Sequence, residues 1–361
     1  RLIRRQRQMC IRDSDWDGVH HDVGIGDVGG NFCLDDSAVF VRTEDKCLKI
    51  DLATGCKIAE FKTPVDPSAR NRNWGYIARA GGLLFGSLLN DEHTVSPRYP
   101  NIRLRTESVT FFALDAETGR VKWRYEPKHS IRNNAIAIAG GKVYVIDRPI
   151  APADRITEPT PNGKHRPLLK PGEHPGGTLI AMDARTGEVL WQKDDEIFGT
   201  QLAVSDKYGV LLMYYQSVKH SFFKLPSEIG GRMAAFDVKT GSRLWDNKVN
   251  HKTRPLINDD IIYAEGGALA LKTGESVPWD FKRSYGCGQI AGSTHMFLFR
   301  SGTLGYLDMT RDAGTENFGG TRPGCWFNAI GAGGLVLVPD GLSKCACSYQ
   351  NRSWLALQQR R

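Results

Sequence analysis

Short runs of alternating apolar and polar residues dominate the chain, and glycine-containing turns separate them. Two such runs, at 134–138 and 142–146, flank the pair Gly140-Gly141. An alternation with a period of two residues is typical of half-buried β-strands. No apolar run approaches the roughly 18–20 residues of a membrane-spanning helix. The pattern therefore predicts an all-β protein without a transmembrane segment.

One phrase recurs along the chain: a strand-like run, then Asp-x-x-Thr-Gly, then often a Trp four residues after the Gly. Its full copies begin at Asp51, Asp115, Asp183 and Asp237, and a degenerate copy covers 271–274. The Asp accepts backbone N–H bonds where the first strand ends, and the Gly takes the positive φ of the turn. The phrase thus predicts a tight β-hairpin, whose Trp is large enough to wedge between neighbouring sheets.

Two further strand-like runs precede each phrase, so each unit is interpreted as four antiparallel strands, A to D. The units cover about 28–64, 73–127, 130–195, 197–250, 251–284, 285–322 and 323–358. Seven such units predict a β-propeller, in which circular closure removes open sheet edges. A linear β-array is the alternative. The last unit has no D-strand pattern after Leu357, which leaves an eighth blade open for the full-length protein.

The repeated phrase, Leu-Asp-Ala-x-Thr-Gly-x-x-x-Trp, resembles the PQQ-like (quinoprotein-type) β-propeller repeat over nearly all of 28–358. That family includes quinoprotein dehydrogenases and a non-enzymatic propeller lipoprotein of outer-membrane assembly. The segments 283–288, 315–320, 322–326 and 345–349 resemble a subgroup of bacterial PQQ-binding-like repeat proteins. The resemblance implies a fold rather than a function, and it implies a periplasmic or cell-envelope location.

The resemblance does not extend to the cofactor site of the enzymes. Quinoprotein alcohol dehydrogenases carry a vicinal Cys-Cys disulfide, acidic and Asn calcium ligands and an Asp base. This sequence has no adjacent cysteines, and none of its Asp or Asn residues lies in a matching motif. We therefore predict neither PQQ nor a catalytic residue. The alternative is a degenerate quinoprotein-type oxidoreductase, or a redox or metal protein that uses the cysteines of the last two units.

Residues 4–14 resemble a translated sequencing adapter, and we interpret 1–14 as a non-native scar. A basic arm that binds nucleic acid is the alternative. Without these residues the chain has 43 basic and 39 acidic side chains, so its net charge falls from +8 to +4. We predict a single propeller domain over 15–361, truncated at its N-terminus, and no nucleic-acid partner.

In such a unit the D–A and B–C connections lie at one end, and the A–B and C–D turns lie at the other. Three B–C connections are long, at about 88–108, 148–176 and 216–230, and insertions on one face usually mark a working surface. Basic residues gather at this end, and Arg suits two-point contact with acidic groups. The predicted ligand-binding residues are Arg132, Asn134, Arg254, Arg283 and Arg322.

These features predict a non-catalytic binding or scaffold module whose basic, long-loop face lies at the mouth of the central channel. Its predicted partner is an anionic small molecule, an acidic glycan or a protein. The alternative is that these are ordinary solvated loop charges.

Apart from Cys10 of the scar, the cysteines fall into two groups. Cys33, Cys47 and Cys56 lie in the first unit and are predicted to be small buried side chains. The arrangement of strands brings four others to one corner of the last two units: Cys287, Cys325, Cys345 and Cys347. Three states of these thiols remain open: disulfides, which persist in exported proteins, a four-thiolate metal site, or free thiols. The Cys-x-Cys spacing is tighter than that of structural zinc sites.

Overall fold

A computed structural model describes residues 32–65, 71–90, 106–155, 169–170, 172–218, 224–286, 288–311, 313–324, 329–339 and 353–358. These residues form 27 β-strands and two single-turn 3-10 helices, η1 (Pro152–Asp154) and η2 (Pro226–Glu228). The protein is an all-β β-propeller, as the sequence predicts. Two compact units divide the chain: residues 1–204 with 220–229, and residues 205–219 with 230–361.

The first unit contains the first three predicted repeats, each a blade of four antiparallel strands in chain order. Blade 1 comprises β1 (Phe32–Leu34), β2 (Ala38–Arg42), β3 (Lys46–Asp51) and β4 (Lys57–Lys62). Blade 2 comprises β5 (Trp74–Ala80), β6 (Leu83–Leu89), β7 (Glu107–Asp115) and β8 (Val121–Tyr125). Blade 3 comprises β9 (Ile131–Ala139), β10 (Lys142–Asp147), β11 (Thr178–Asp183) and β12 (Val189–Lys193).

Blades 2 and 3 differ from the prediction in one respect, because they share a single eight-stranded sheet. The start of β7 pairs with the start of β9, with Glu107 opposite Arg132 and Ser108 opposite Ile131. Both strands have nine residues, so each extends beyond its own blade. This extension places Glu107 beside Arg132.

Blade 4 consists of β13 (Gln201–Ser205), β14 (Val210–Tyr214), β15 (Arg232–Asp237) and β16 (Arg243–Lys248), and the boundary between the units falls at the end of β13. Blade 5 comprises β17 (Leu256–Asn258), β18 (Ile261–Ala264), β19 (Gly267–Ala270) and β20 (Ser276–Val277). Blade 6 comprises β21 (Ala291–Gly292), β22 (Met296–Ser301), β23 (Thr303–Asp308) and β24 (Thr315–Asn317). The described part of blade 7 has three strands, β25 (Ile330–Ala332), β26 (Leu335–Val338) and β27 (Leu355–Gln358).

The repeated phrase forms the predicted hairpin. In blade 2, Asp115 Oδ1 accepts hydrogen bonds from the Thr118 backbone N–H at 3.0 Å and from its hydroxyl at 2.9 Å, and Gly119 has a φ of 71°. In blade 4, Asp237 and Thr240 form the same pair of bonds. Each Asp carboxylate thus accepts hydrogen bonds from the turn that a backbone carbonyl accepts in a regular strand pair.

The Trp of the phrase packs against the turn of the following blade. Trp123 is buried, and its indole Nε1 donates to the Ala184 carbonyl at 3.0 Å. A Cβ at Gly187 would lie 2.7 Å from the Trp123 ring. In the second unit, Trp245 donates to the Leu271 carbonyl at 2.9 Å in the same way. The Trp therefore packs between neighbouring blades in both units, although blades 2 and 3 belong to one sheet.

Candidate functional site

The two ends of the blades differ in construction. At one end the short turns meet: the Ala184 N–H donates to the Gly141 carbonyl in unit 1, and the Val238 N–H donates to the Gly209 carbonyl in unit 2. At the other end, here called the long-loop end, the B–C and D–A connections meet. The Arg148 N–H donates to the Ser130 carbonyl there.

Arg132 lies at the centre of a buried ionic cluster at the long-loop end of the first unit. Only 1% of its surface is exposed. Its guanidinium contacts Glu107 Oε1 at 2.6 Å, Asp154 Oδ2 at 3.0 Å and Glu228 Oε1 at 3.0 Å. The strand β9 supplies the Arg, the adjacent β7 supplies Glu107, and η1 and η2 supply the other two carboxylates. One side chain therefore ties two long B–C connections to the paired strands.

Hydrogen bonds join the two connections directly. Ser227 of η2 donates its backbone N–H to Asp154 Oδ1 at 2.9 Å and its hydroxyl to Asp154 Oδ2. Arg148 donates to the Ser227 hydroxyl at 2.8 Å. Glu228 Oε2 accepts the Leu225 N–H at 2.9 Å and so closes its own turn. These contacts fix the inner ends of both insertions.

The electrostatics of the cluster favour its ionised form. Burial alone would raise the pKa of Asp154, but Arg132 and the hydrogen bonds from Ser227 outweigh it, so this pKa lies below its usual value. Burial alone would lower the pKa of Arg132, and the three carboxylates raise it instead. An external anion at Arg132 would have to displace one of these carboxylates, so ligand binding by Arg132 stays a prediction.

Asn134 lies two residues beyond Arg132 on β9 and is 4% exposed. Its Nδ2 has no hydrogen-bond partner among the described residues. The neighbouring Asn133 is instead satisfied, since its Oδ1 accepts a bond from Ser108 at 2.6 Å. Ligand binding by Asn134 stays a prediction.

In the second unit, the structure brings Arg254 and Arg283 to the long-loop end of blades 4 to 6. Arg254 Nε donates to the Tyr214 hydroxyl at 3.3 Å, and its backbone N–H donates to Gln289 Oε1 at 2.5 Å. Arg283 Nε donates to Glu265 Oε2 at 2.8 Å. Arg283 is thus engaged with a carboxylate. Arg322 lies half-buried between β24 and β25.

The structure tests the predictions for the first group of cysteines but not those for the second. Cys287, Cys325, Cys345 and Cys347 lie outside the described residues. Cys47 is buried, as predicted, and Cys33 is half-buried. The prediction for Cys56 is wrong, because this residue follows the turn glycine at the outer end of a hairpin and is exposed. All three are free thiols.

The described residues do not contain a group of three His, Cys, Asp or Glu side chains placed to hold a metal. Ser227, with Asp154 beside it, is also not an accessible nucleophile, because it is fully buried and donates its hydroxyl to the carboxylate. No helix in the described part of the chain has the length and apolar character needed to cross a bilayer. The arrangement at Arg132 is suited to holding loops rather than to acid–base chemistry.

Sequence reasoning found Arg132 but missed the three acidic residues that surround it. A signal was present, because both insertions contain Pro-x-acid, at 152–154 and at 226–228. A Pro at the first position of a helical turn followed by an acidic residue is a helix-start pattern. Because both insertions contain this pattern, it could have indicated that their acidic residues hold the two insertions at the same place.

Comparison with known proteins assigns the fold family. The family described as outer membrane protein assembly factor BamB matches residues 100–284, which is half of the chain. The chain belongs to this family. It is also 31% identical over 158 residues to the lanthanide-dependent methanol dehydrogenase of Methylacidiphilum fumariolicum strain SolV. That match covers 42% of this chain and 20% of the dehydrogenase, so the chain spans only a fifth of that relative.

Two solved structures align with the chain at low identity. BamB from Moraxella catarrhalis aligns with 16% identity and a TM-score of 0.49, over 86% of this chain and 79% of BamB. The quinohemoprotein alcohol dehydrogenase of Comamonas testosteroni aligns with 14% identity and a TM-score of 0.43, over 88% of this chain and 52% of the enzyme.

Proposed function

We propose that this protein is a non-catalytic β-propeller scaffold that binds a partner through its long-loop end. Membership of the BamB family supports a role in the assembly of outer membrane proteins, in the periplasm or cell envelope. The single observation that carries the proposal is the buried cluster around Arg132. It fixes two long connections through three carboxylates that all pair with one guanidinium, which suits a rigid platform better than a reaction site.

The platform offers basic groups to a partner. Arg155 and Lys170 lie in the B–C connection of blade 3 and are exposed, and Lys128 is exposed on the D–A connection beside it. Exposed charges at an interface mainly speed association and set specificity. We therefore propose a protein partner that presents an acidic surface; an anionic small molecule or acidic glycan is the other form of the proposed ligand.

The test is cross-linking of the tagged protein in the envelope fraction of its own organism, with the cross-linked positions identified by mass spectrometry. We expect cross-links to an outer-membrane assembly component at 128–132, 148–155 and 169–177. The double substitution Arg155→Glu/Lys170→Glu should abolish them. Arg185→Glu is the matched control, because Arg185 is an exposed basic residue of the same blade at the short-turn end. Cross-links that are lost equally with Arg185→Glu would overturn the proposal.

A quinoprotein-type oxidoreductase is the second candidate, because the 31% identical relative is a methanol dehydrogenase. The residues of this chain do not fit the cofactor and its metal. Three buried carboxylates of the first unit, those of Glu107, Asp154 and Glu228, converge on the Arg132 guanidinium, so they are already engaged with a cation of the protein itself. Adjacent cysteines are also absent from the sequence.

A further inference from the structure

The connection between blades 2 and 3 forms a tightly held arch at the long-loop end of the first unit, and residues 127–130 are here called the arch. Asp147 ends β10, is 5% exposed and accepts three consecutive backbone N–H bonds from the arch. Its Oδ2 accepts the Lys128 N–H at 2.6 Å, and its Oδ1 accepts the His129 and Ser130 N–H groups at 3.0 and 3.2 Å. One buried carboxylate therefore fixes the backbone of the arch.

The buried ionic cluster holds the arch from a second side. The Ser130 hydroxyl donates to Glu107 Oε2 at 2.9 Å, while Oε1 of the same carboxylate contacts Arg132. The Ser130 carbonyl accepts the N–H of Arg148 at 3.0 Å, and Arg148 is the first residue after β10. The arch is thus anchored to the same cluster as the two long insertions, and its position is set before a partner binds.

The two side chains that the arch presents are exposed and unpaired. Lys128 and His129 both face solvent, and neither side chain has a hydrogen bond, an ion pair or a ring contact in the described part of the chain. Glu126, the acidic residue just before the arch, pairs with Arg124 at 2.9 Å instead. Because the backbone beneath them is already fixed, binding has to order only the two side chains themselves.

We propose that the arch is the element that recognises the acidic partner, and that Lys128 and His129 contact carboxylates of an acidic peptide segment. The Lys ammonium attracts a carboxylate as a point charge, and the imidazole adds a ring N–H donor beside it. Asp147 is a positioning residue, because its carboxylate binds the backbone of the arch rather than the partner. The inference rests on the proposed function and assigns its partner contact to two adjacent residues.

The test measures binding of a fluorescein-labelled octapeptide of alternating Glu and Ser to the whole chain, by fluorescence polarisation at low and at high salt. The same peptide with Gln in place of Glu is the neutral probe. We expect saturable binding of the Glu peptide that weakens at high salt, and none of the Gln peptide. Lys128→Glu/His129→Gln should weaken binding of the Glu peptide by about tenfold or more, because repulsion replaces attraction.

Arg185→Glu is the matched control for this double variant. It changes the formal charge by the same amount, and Arg185 is exposed at the short-turn end of blade 3. Its affinity for the Glu peptide should match that of the unmodified protein. A loss of affinity confined to the arch variant would therefore report the position of the charge rather than the net charge of the protein.

Asp147→Asn tests the positioning role. The amide has no charge and one acceptor oxygen fewer, so the N–H groups of the arch should exchange faster with deuterium, as measured by mass spectrometry of the segment 126–132. Binding of the Glu peptide should weaken several-fold although Lys128 and His129 are unchanged, and its salt dependence should stay the same. Faster exchange with unchanged affinity would remove this role of Asp147.

The inference is overturned if the Glu peptide does not bind saturably, or if Lys128→Glu/His129→Gln binds it as tightly as the Arg185→Glu control. Tri-galacturonate is titrated in parallel, and tighter binding of this acidic glycan than of the peptide would also overturn it. Failure of the proposed function is distinct. Cross-links to the assembly component that survive Lys128→Glu/His129→Gln would reject the arch alone, whereas peptide binding by the arch without any cross-linked partner would reject the scaffold role.

Discussion

Gly187 and Gly55 occupy the same position in the repeated turn, with φ values of 75° and 69°, but their surroundings differ. A Cβ at Gly187 would lie 2.7 Å from the Trp123 ring, whereas a Cβ at Gly55 would have no atom within 4 Å. Gly55→Ala should cost about 1–2 kcal/mol of unfolding free energy through backbone strain alone. Gly187→Ala should cost about 1–3 kcal/mol more, because it also overpacks the contact between blades 2 and 3.

Urea unfolding of the two variants checks this difference. Equal losses of stability would mean that the Trp123 contact does not hold blades 2 and 3 together. The glycines themselves are predictable from sequence, because Asp-x-x-Thr-Gly requires a positive φ. The contact is not, since it joins residues 64 positions apart.

The Asp residues of the turns make stability depend on pH. The pKa values of Asp115 and Asp183 lie below the usual value because each carboxylate accepts a backbone N–H from the Thr of its turn. A lowered folded-state pKa gives stability that is present above the unfolded value of about 3.9 and is lost as the pH falls through the folded value. The melting temperature should therefore fall as the pH drops from about 5 to 2.

The double variant Asp115→Asn/Asp183→Asn keeps an acceptor oxygen in each turn but no charge. Its melting temperature should be lower at neutral pH and should change less over the same acid range. Asp194→Asn is the control, because Asp194 is exposed and the described residues show no such turn bonds to it. A double variant with the same pH profile as this control would contradict the assignment.

At the scale of elements, η1 and η2 depend on Arg132. Arg132→Met removes the one guanidinium that pairs with all three buried carboxylates, those of Glu107, Asp154 and Glu228. We expect a loss of about 3–5 kcal/mol and new proteolytic cleavage between 148 and 177. Part of the loss should return as the pH approaches about 4, because protonation removes the unpaired charges.

The matched comparison is Arg232→Met. Arg232 pairs with Asp246 through two hydrogen bonds, but both side chains are partly exposed. Such pairs contribute about 1 kcal/mol or less. If the two variants lose equal stability, the Arg132 cluster is not the anchor of the insertions.

The order of the elements could be predicted because each blade is built from local contacts. Strand alternation, the Asp-Thr pair and the turn glycine all act within about fifteen residues. The joining of β7 to β9 could not be predicted, since it depends on how far each strand extends beyond its own blade. The acidic partners of Arg132 were also missed because they are distant in sequence: Glu107 begins β7, whereas Asp154 and Glu228 come from two separate connections.

For the whole molecule, the repeat identified the fold class and the family, and the site was predicted only in part. The sequence indicated which end of the blades carries the arginines. It did not reveal which charges are already neutralised: Arg132 and Arg283 have carboxylate partners. Charge compensation is a tertiary property, because the partners of one side chain come from distant positions.

The last prediction concerns the similarity to a lanthanide-dependent methanol dehydrogenase. Titration of the protein with PQQ in the presence of La³⁺ or Ca²⁺ should show no saturable binding, and methanol should not reduce a dye acceptor. The reason is that a metal ion next to Glu107, Asp154 and Glu228 would have to displace the Arg132 guanidinium from a site where it makes three ion pairs. Binding of one PQQ per chain together with alcohol-dependent dye reduction would contradict this outcome and establish the oxidoreductase instead of the scaffold.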